Sequence, residues 1–358
     1  MNPRRRLVLT GAAAVLGAGV SRVQATEADG AVPVDWPTAP PESQGLSPGA
    51  MAEVLRDGAG VPGLRSLLVA RNGVLVGESY FGGASANDLL AINSVTKSVS
   101  SMLVGLALQK GAITGLDDTV ARLVPDAASK LPASAWSELT LAQILGGRTG
   151  LGFALTRGRD LVNAPDLAKF VLGLPAEVAV PAGWSYNDAA VALITPILAR
   201  AQGADLAALA ARDLFAPLGI ARFNWVRDRQ GHALAFGGLA LRPRDLLKLT
   251  VLMLDGGRWR GASVLPAAWV AESTQTRGPA TWQVEPVGNI GYGRLWFTGT
   301  LHGRQVVWGW GYGGQFALWV PELRLAVTTA ATSPPFPALK GQTDAVMTLV
   351  GRVLRAAA

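Results

Sequence analysis

The stretch Ile92-Asn93-Ser94-Val95-Thr96-Lys97-Ser98-Val99-Ser100-Ser101 stands between two elements of opposite kind. Upstream, residues 64–81 alternate and are interrupted by Arg71-Asn72-Gly73. Asn-Gly supplies the positive φ values that a two-residue turn demands, so this segment is a β-hairpin. Downstream, Val95, Val99, Met102, Leu103, Leu106 and Ala107 recur at helical spacing and Gly111 supplies a stop, which predicts a helix over 95–109. Ser94 therefore sits at or just before a helix N-terminus. Lys97, one turn on, returns to the same side, within reach of the Ser94 hydroxyl.

That spacing has a chemical meaning. A serine hydroxyl is a poor nucleophile until something takes its proton, and a lysine walled in by apolar side chains can have its pKa lowered enough to help. The helix N-terminus adds partial positive charge and free N–H groups beside the attacking atom. The same four residues also fit a helix-capping serine followed by a solvated lysine, and alone they do not separate the two readings.

The rest of the chain supplies a scaffold. Ser47-Pro48 opens a helix that runs to Asp57, with serine as N-cap and proline at the first helical position. Residues 111–221 read as almost wholly helical: Thr140 caps 141–145, and further helices cover 165–174, 188–201 and 205–214, with Gly203 and Gly219 as breaks. Beyond residue 221 comes a helix over 243–254 that stops at Gly256-Gly257. Short runs of β-branched and aromatic residues follow at 292–297, 305–308, 315–320 and 323–330, then a closing helix over 343–354. The N-terminal hairpin needs sheet partners, and these late strands are the ones available. The expected fold is α/β (α+β): an antiparallel sheet flanked by helices, built from both chain ends (26–110 and 222–358), with an all-helical insertion at 111–221.

The beginning of the chain, Met1-Asn2-Pro3-Arg4-Arg5-Arg6 followed by an apolar run over 7–20 and Val23-Gln24-Ala25, has the form of an export signal of twin-arginine type covering residues 1–25. The apolar run is too short to span a bilayer, so no stable membrane anchor is expected after cleavage, and the mature protein is expected in the periplasm or outside the cell. Cleavage would remove Arg4, Arg5, Arg6 and Arg22 and no acidic residue, taking the formal charge from +7 to +3. Nucleic-acid binding then loses its main support. There is no cysteine, so stability rests on the core; with two histidines, His232 and His302, a histidine-rich metal site is excluded. The one Gly-x-Ser-x-Gly match, Gly45-Leu46-Ser47-Pro48-Gly49, follows a proline-rich stretch rather than a strand, which disfavours a Ser-His-Asp triad.

A nucleophilic Ser94 needs a proton acceptor and a place for the oxyanion. In the helical insertion, Gly183-Trp184-Ser185-Tyr186-Asn187-Asp188 is a polar loop directly before an apolar helix. A tyrosine near a lysine ammonium can have its pKa lowered and act as base, though Tyr186 would equally serve as a packing residue at a seam. Among the late strands, Trp308-Gly309-Trp310-Gly311-Tyr312-Gly313-Gly314-Gln315 places glycines at alternate positions, where another chain or a ligand can approach the backbone closely. An edge-strand N–H there, paired with that of Ser94, would form an oxyanion hole; a tight glycine-rich connection is the plainer alternative.

Together, Ser94-Val95-Thr96-Lys97, Tyr186 and the late glycine-rich strand resemble the serine β-lactamase and penicillin-recognising (β-lactamase/transpeptidase-like) family, specifically its class C-like hydrolases. The stretches 41–46, 94–104, 181–188, 237–245 and 311–315 followed by Pro321-Glu322 look most like the 6-aminohexanoate-dimer hydrolase branch. The resemblance implies Ser94 as nucleophile, Lys97 and Tyr186 as its base pair, and the N–H groups of Ser94 and Tyr312 as oxyanion donors, with Gly311 and Trp310 lining the substrate. Asp188 takes the third position of the tyrosine motif, where relatives usually carry asparagine, and is expected beside the substrate as well. Where β-lactamases carry Lys-Thr-Gly, this chain reads Gly309-Trp310-Gly311, with no cation for a substrate carboxylate; a lysine at 309 is expected to supply one. The implied activity is hydrolysis of a small ester or amide through an acyl-enzyme, without metal or cofactor. The rivals are a true β-lactamase or D,D-peptidase and a catalytically silent cell-wall-binding protein.

Overall fold

The computed structural model describes residues 36–177 and 183–357. The leader expected over 1–25, and residues 181 and 182 of the tyrosine-motif stretch, lie outside these. Among the described residues no helix is long and apolar enough to cross a membrane.

Helix α1 (Pro48–Asp57) starts where Ser47 Oγ accepts from Ala50 N. Strands β1 (Leu64–Arg71) and β2 (Val74–Tyr80) form the expected hairpin, with Asn72 at φ +54° and Gly73 at φ +78° in its turn. Helix α2 (Val95–Gln109) has the limits that the apolar spacing predicts. Short helices then carry the chain, among them α3 (Leu141–Leu145), where Thr140 and Gln143 form a reciprocal capping box, and α4 (Leu167–Leu172). The single helix expected over 188–201 is divided into α5 (Asp188–Ala192) and α6 (Ile194–Gln202). Pro196 has no N–H to give to the carbonyl four residues back, so the helical ladder is interrupted there. Helix α7 (Pro243–Leu254) follows. Helix α8 (Phe336–Ala356) begins seven residues before the expected start, because Pro337 falls in a first turn whose N–H groups need no partner.

The other strands of the large sheet are β3 (Gly288–Tyr292), β4 (Phe297–Leu301), β5 (Arg304–Gly311), β6 (Gln315–Val320) and β7 (Leu325–Ala331). These seven form one sheet in the order β2-β1-β7-β6-β5-β4-β3, antiparallel at every pair of neighbours, with the early hairpin paired to the last strand. Of the strand expected over 292–297, Tyr292 ends β3 and Phe297 begins β4, while 293–296 are the turn between them. Its backbone is claimed by other elements: Arg294 N donates to Ser273 O at 2.7 Å and Leu295 N to Leu145 O at 2.9 Å, with Leu295 left-handed at φ +64°.

Register assigns the faces. Gly77, Val69, Val327, Leu318 and Trp308 lie opposite one another across five strands and share a face, so Gly309 is on the other. Helix α1 covers Gly77 through Met51 and Leu55, whereas α2 covers Gly309 through Val95 and Ser98. Helix α7 packs across β1, β7 and β6.

Candidate active site

Helix α2 is buried on nearly every side, and its polar residues are tied to neighbours rather than to water. Ser98 Oγ donates to Leu295 O at 2.8 Å and Ser100 Oγ to Ala235 O at 2.7 Å. Thr96 Oγ1 donates to Asn93 O at 2.6 Å and accepts from Leu239 N at 3.3 Å. These bonds hold the N-terminus of α2 between the sheet and the segment 235–239.

Ser94 is the residue that precedes α2, yet its backbone is helical (φ −74°, ψ −4°) and its side chain makes no capping bond. The hydroxyl is free for something else. Lys97 Nζ lies 3.1 Å from Ser94 Oγ, as the spacing of one turn predicts. The lysine is not solvated: it is 3% exposed, and its ammonium also meets Phe236 O at 2.6 Å and Asp188 Oδ1 at 2.7 Å. Burial lowers the Lys97 pKa from the ordinary lysine value; the Asp188 charge and hydrogen bond work against that shift.

Tyr186 stands on the other side of the same atoms. Its ring lies under Lys97 Nζ, 4.7 Å from the centroid, and its phenol is near enough for the Ser94 side chain to act on its pKa. The expectation of a lowered tyrosine pKa does not hold. Burial, reinforced by the Asp188 charge, pushes the phenol well above its usual value, against the smaller opposing pull of the Ser94 side chain. At neutral pH it is a proton donor.

Asp188 is the first residue of α5, behind the capping residue Asn187, whose Oδ1 accepts from Ala190 N at 2.9 Å. Its carboxylate, expected among the oxyanion and substrate contacts, pairs with the Lys97 ammonium. This gives the pH dependence a sign. A lysine acting as base here must do so as the neutral amine, so kcat/KM should rise with pH through a Lys97 pKa that lies below the usual lysine value. The high tyrosine pKa leaves no fall on the alkaline side up to about pH 10, the ordinary tyrosine value. Asp188→Asn removes the charge that favours the ammonium, and the rising limb should move to lower pH; a profile that stays in place, or moves up, would show that Asp188 does not tune the lysine.

The glycine-rich strand meets α2 as its alternate glycines suggested. A Cβ at Gly311 would lie 2.5 Å from Ile92 O, and one at Gly309 would lie 2.9 Å from Ser98 Oγ and 3.0 Å from Val95 Cγ1. Pairing of β5 with β4 ends at Trp308↔Phe297, so residues 309–311 pair with β6 alone and leave one edge open. The same contacts bear on a lysine at 309. Its first side-chain carbon would press on the Ser98 hydroxyl and a Val95 methyl, which would have to shift. Tyr312 begins the turn after β5, its hydroxyl donating to Pro334 O at 2.9 Å. At the start of α2, Val95, Thr96 and Lys97 N–H donate to the carbonyls of Ile92, Asn93 and Ser94. The Ser94 N–H has no such backbone bond among the described residues, which suits it to a developing oxyanion.

Trp310 is half-buried and edge-on to Trp282 at 5.4 Å, and Trp282 stacks on Tyr186 at 4.3 Å with 22° between the planes. Trp282 thus bridges the tyrosine and the glycine-rich strand. Sequence reasoning missed it, since it lies in a loop with no motif. Phe236 was missed for a different reason: it contributes a backbone carbonyl, which any residue would supply. Its neighbours Gly237 and Gly238 are the signal that marked the segment.

The model of the family described as Beta-lactamase matches residues 50–351. Among solved structures, a Bacillus anthracis protein described as a 6-aminohexanoate-dimer hydrolase has TM-score 0.69 at 16% identity, over 94% of this chain and 91% of that one. A D-amino acid amidase from Ochrobactrum anthropi SV3 has TM-score 0.64 at 20% identity, over 86% and 97%. A class C β-lactamase from Rhodobacter sphaeroides has TM-score 0.63 at 18% identity, over 86% and 98%. These likenesses show the fold, and the family match covers most of the chain that carries Ser94, Lys97 and Tyr186. The protein belongs to the Beta-lactamase family and has its serine-hydrolase fold.

Proposed function

We propose that this is an exported serine hydrolase that cleaves an uncharged ester or amide through an acyl-enzyme on Ser94. The observation that carries the reading is the Ser94 hydroxyl, unused as a cap, 3.1 Å from Nζ of the buried Lys97, whose ammonium lies over the Tyr186 ring. In acylation the neutral Lys97 amine takes the Ser94 proton while Oγ bonds to the substrate carbonyl carbon. The carbonyl oxygen takes up the electron pair and faces the N–H groups of Ser94 and Tyr312. As the carbonyl re-forms, the Tyr186 phenol gives its proton to the departing alkoxide or amine and regains one from Lys97. Water then attacks the acyl-enzyme by the same route, releasing the acid and restoring the Ser94 hydroxyl. Lys97 and Tyr186 act as a pair, the lysine as acceptor and the tyrosine as donor.

The substrate class follows from what lines the open edge. Trp310 and Trp282 offer apolar, planar surface, and Gly309 offers nothing to a carboxylate. A charge-assisted hydrogen bond to such a group contributes roughly 1.5–3 kcal/mol, so its lack costs a β-lactam about ten- to a hundredfold that a neutral ester does not lose. Run in parallel, p-nitrophenyl butyrate should exceed nitrocefin in kcat/KM by at least that margin, with a fluorophosphonate labelling Ser94 stoichiometrically. Efficient nitrocefin turnover would instead favour a true β-lactamase, and failure of any serine to label would favour a silent binding protein.

A further inference from the structure

The two oxyanion donors come from distant parts of the chain, and their separation must be set by something other than either segment alone. Asn93 and Tyr312, 219 residues apart, are joined directly: Asn93 Nδ2 donates to Tyr312 O at 2.8 Å, and to Ser333 Oγ at 3.1 Å. The backbone of Asn93 is left-handed, φ +47°, a conformation that a non-glycine residue holds at some cost and that tends to occur at functional sites. The turn it grips is fixed from behind as well. Tyr312 O also accepts from Gln315 Nε2 at 2.9 Å, Gly313 O from Gln342 Nε2 at 2.8 Å and Gly314 O from Thr329 Oγ1 at 2.7 Å. Three consecutive carbonyls are thereby held by buried side chains. Of these anchors, Asn93 is the one that comes from the segment bearing Ser94, and it acts where Ile92 O already abuts Gly311 with no side chain between them.

We propose that Asn93 is a positioning residue: its amide locks the Ser94 end of α2 to the turn between β5 and β6 and so sets the distance between the Ser94 and Tyr312 N–H groups. The Asn93 side chain acts through those backbone groups and need not touch substrate. This inference rests on the reading of Ser94 as nucleophile and of the two N–H groups as oxyanion donors.

Two variants test it. Asn93→Gly keeps the left-handed backbone without strain but removes the amide; Asn93→Asp keeps the shape but puts an oxygen where the donor was. With p-nitrophenyl butyrate, kcat should fall about ten- to a hundredfold in both, with little change in KM, since a donor displaced by a fraction of an ångström weakens the transition state and not the ground state. The inhibition constant of n-butylboronic acid, whose tetrahedral adduct places an oxygen between the two donors, should rise by the same factor. The melting temperature of Asn93→Gly should stay within a few degrees of wild type, and a fluorophosphonate should still modify Ser94 to completion. Wild-type kcat and boronate affinity in fully labelled Asn93→Gly would overturn the assignment while leaving Ser94 as nucleophile. A matched loss of KM, boronate affinity and melting temperature would also overturn it, as mere loosening of the fold. Absence of Ser94 labelling in the wild-type protein would remove the nucleophile reading and this one together.

Discussion

Ser94→Ala should lower kcat/KM by about 10⁴-fold or more and abolish covalent labelling, the size of loss seen when the nucleophile of a serine hydrolase is removed. The melting temperature should stay within a few degrees. Both halves of that expectation come from the same fact: the hydroxyl makes no capping bond, so its removal takes nothing from α2. Lys97 keeps its other two partners, Phe236 O and Asp188, and is not stranded. The decisive measurement is mass spectrometry of the fluorophosphonate adduct beside the kinetics. Adduct on another serine of the Ala variant would move the nucleophile elsewhere.

Lys97→Met should cost about 10²–10⁴ in kcat/KM, the usual worth of a positioned base, and unlike the first variant it should also destabilise the fold. Methionine fills a similar space but leaves the Asp188 carboxylate, whose side chain is 15% exposed, without its counter-ion. Removing one member of a buried pair costs about 3–5 kcal/mol, because the remaining charge has lost both water and partner. The double variant Lys97→Met/Asp188→Asn should recover most of the lost melting temperature and none of the activity. If the single variant kept wild-type stability, the ion pair would not be buried in the sense that its geometry implies. If the double variant regained activity, Lys97 would not be the base.

Ser94 and Lys97 could be found from four adjacent letters, since helical geometry alone brings positions three apart to one side. Whether that pair is chemistry or a solvated cap could not be found there. The difference lies in the burial of Lys97 and in its contacts with Phe236 O and Asp188, which come from segments 139 and 91 residues away along the chain. Tyr186 was legible as a polar loop before an apolar helix, but its protonation was not, because the pKa depends on how deeply the ring lies and on the carboxylate two residues on. Likewise, the apolar run over 292–297 has the composition of a strand. Its middle, 293–296, is a turn because the carbonyls of Ser273 and Leu145 draw its N–H groups out of the ladder.

What the sequence by itself determined are the features that short stretches decide among themselves: the hairpin at Asn72-Gly73, the limits of α2, the capping box at Thr140 and the alternate glycines that demand a close neighbour. Turn dihedrals, helical period and the missing Cβ act over a few residues, so local letters suffice. Tertiary structure alone decided that α2 is the neighbour of Gly309 and Ile92 that of Gly311, that Asp188 pairs with the lysine, that Trp282 stacks on Tyr186, and that Asn93 reaches Tyr312. Those depend on charges, carbonyls and ring faces meeting across the fold, where strength is set by distance and by exclusion of water, and neither is written into the spacing of residues along a chain.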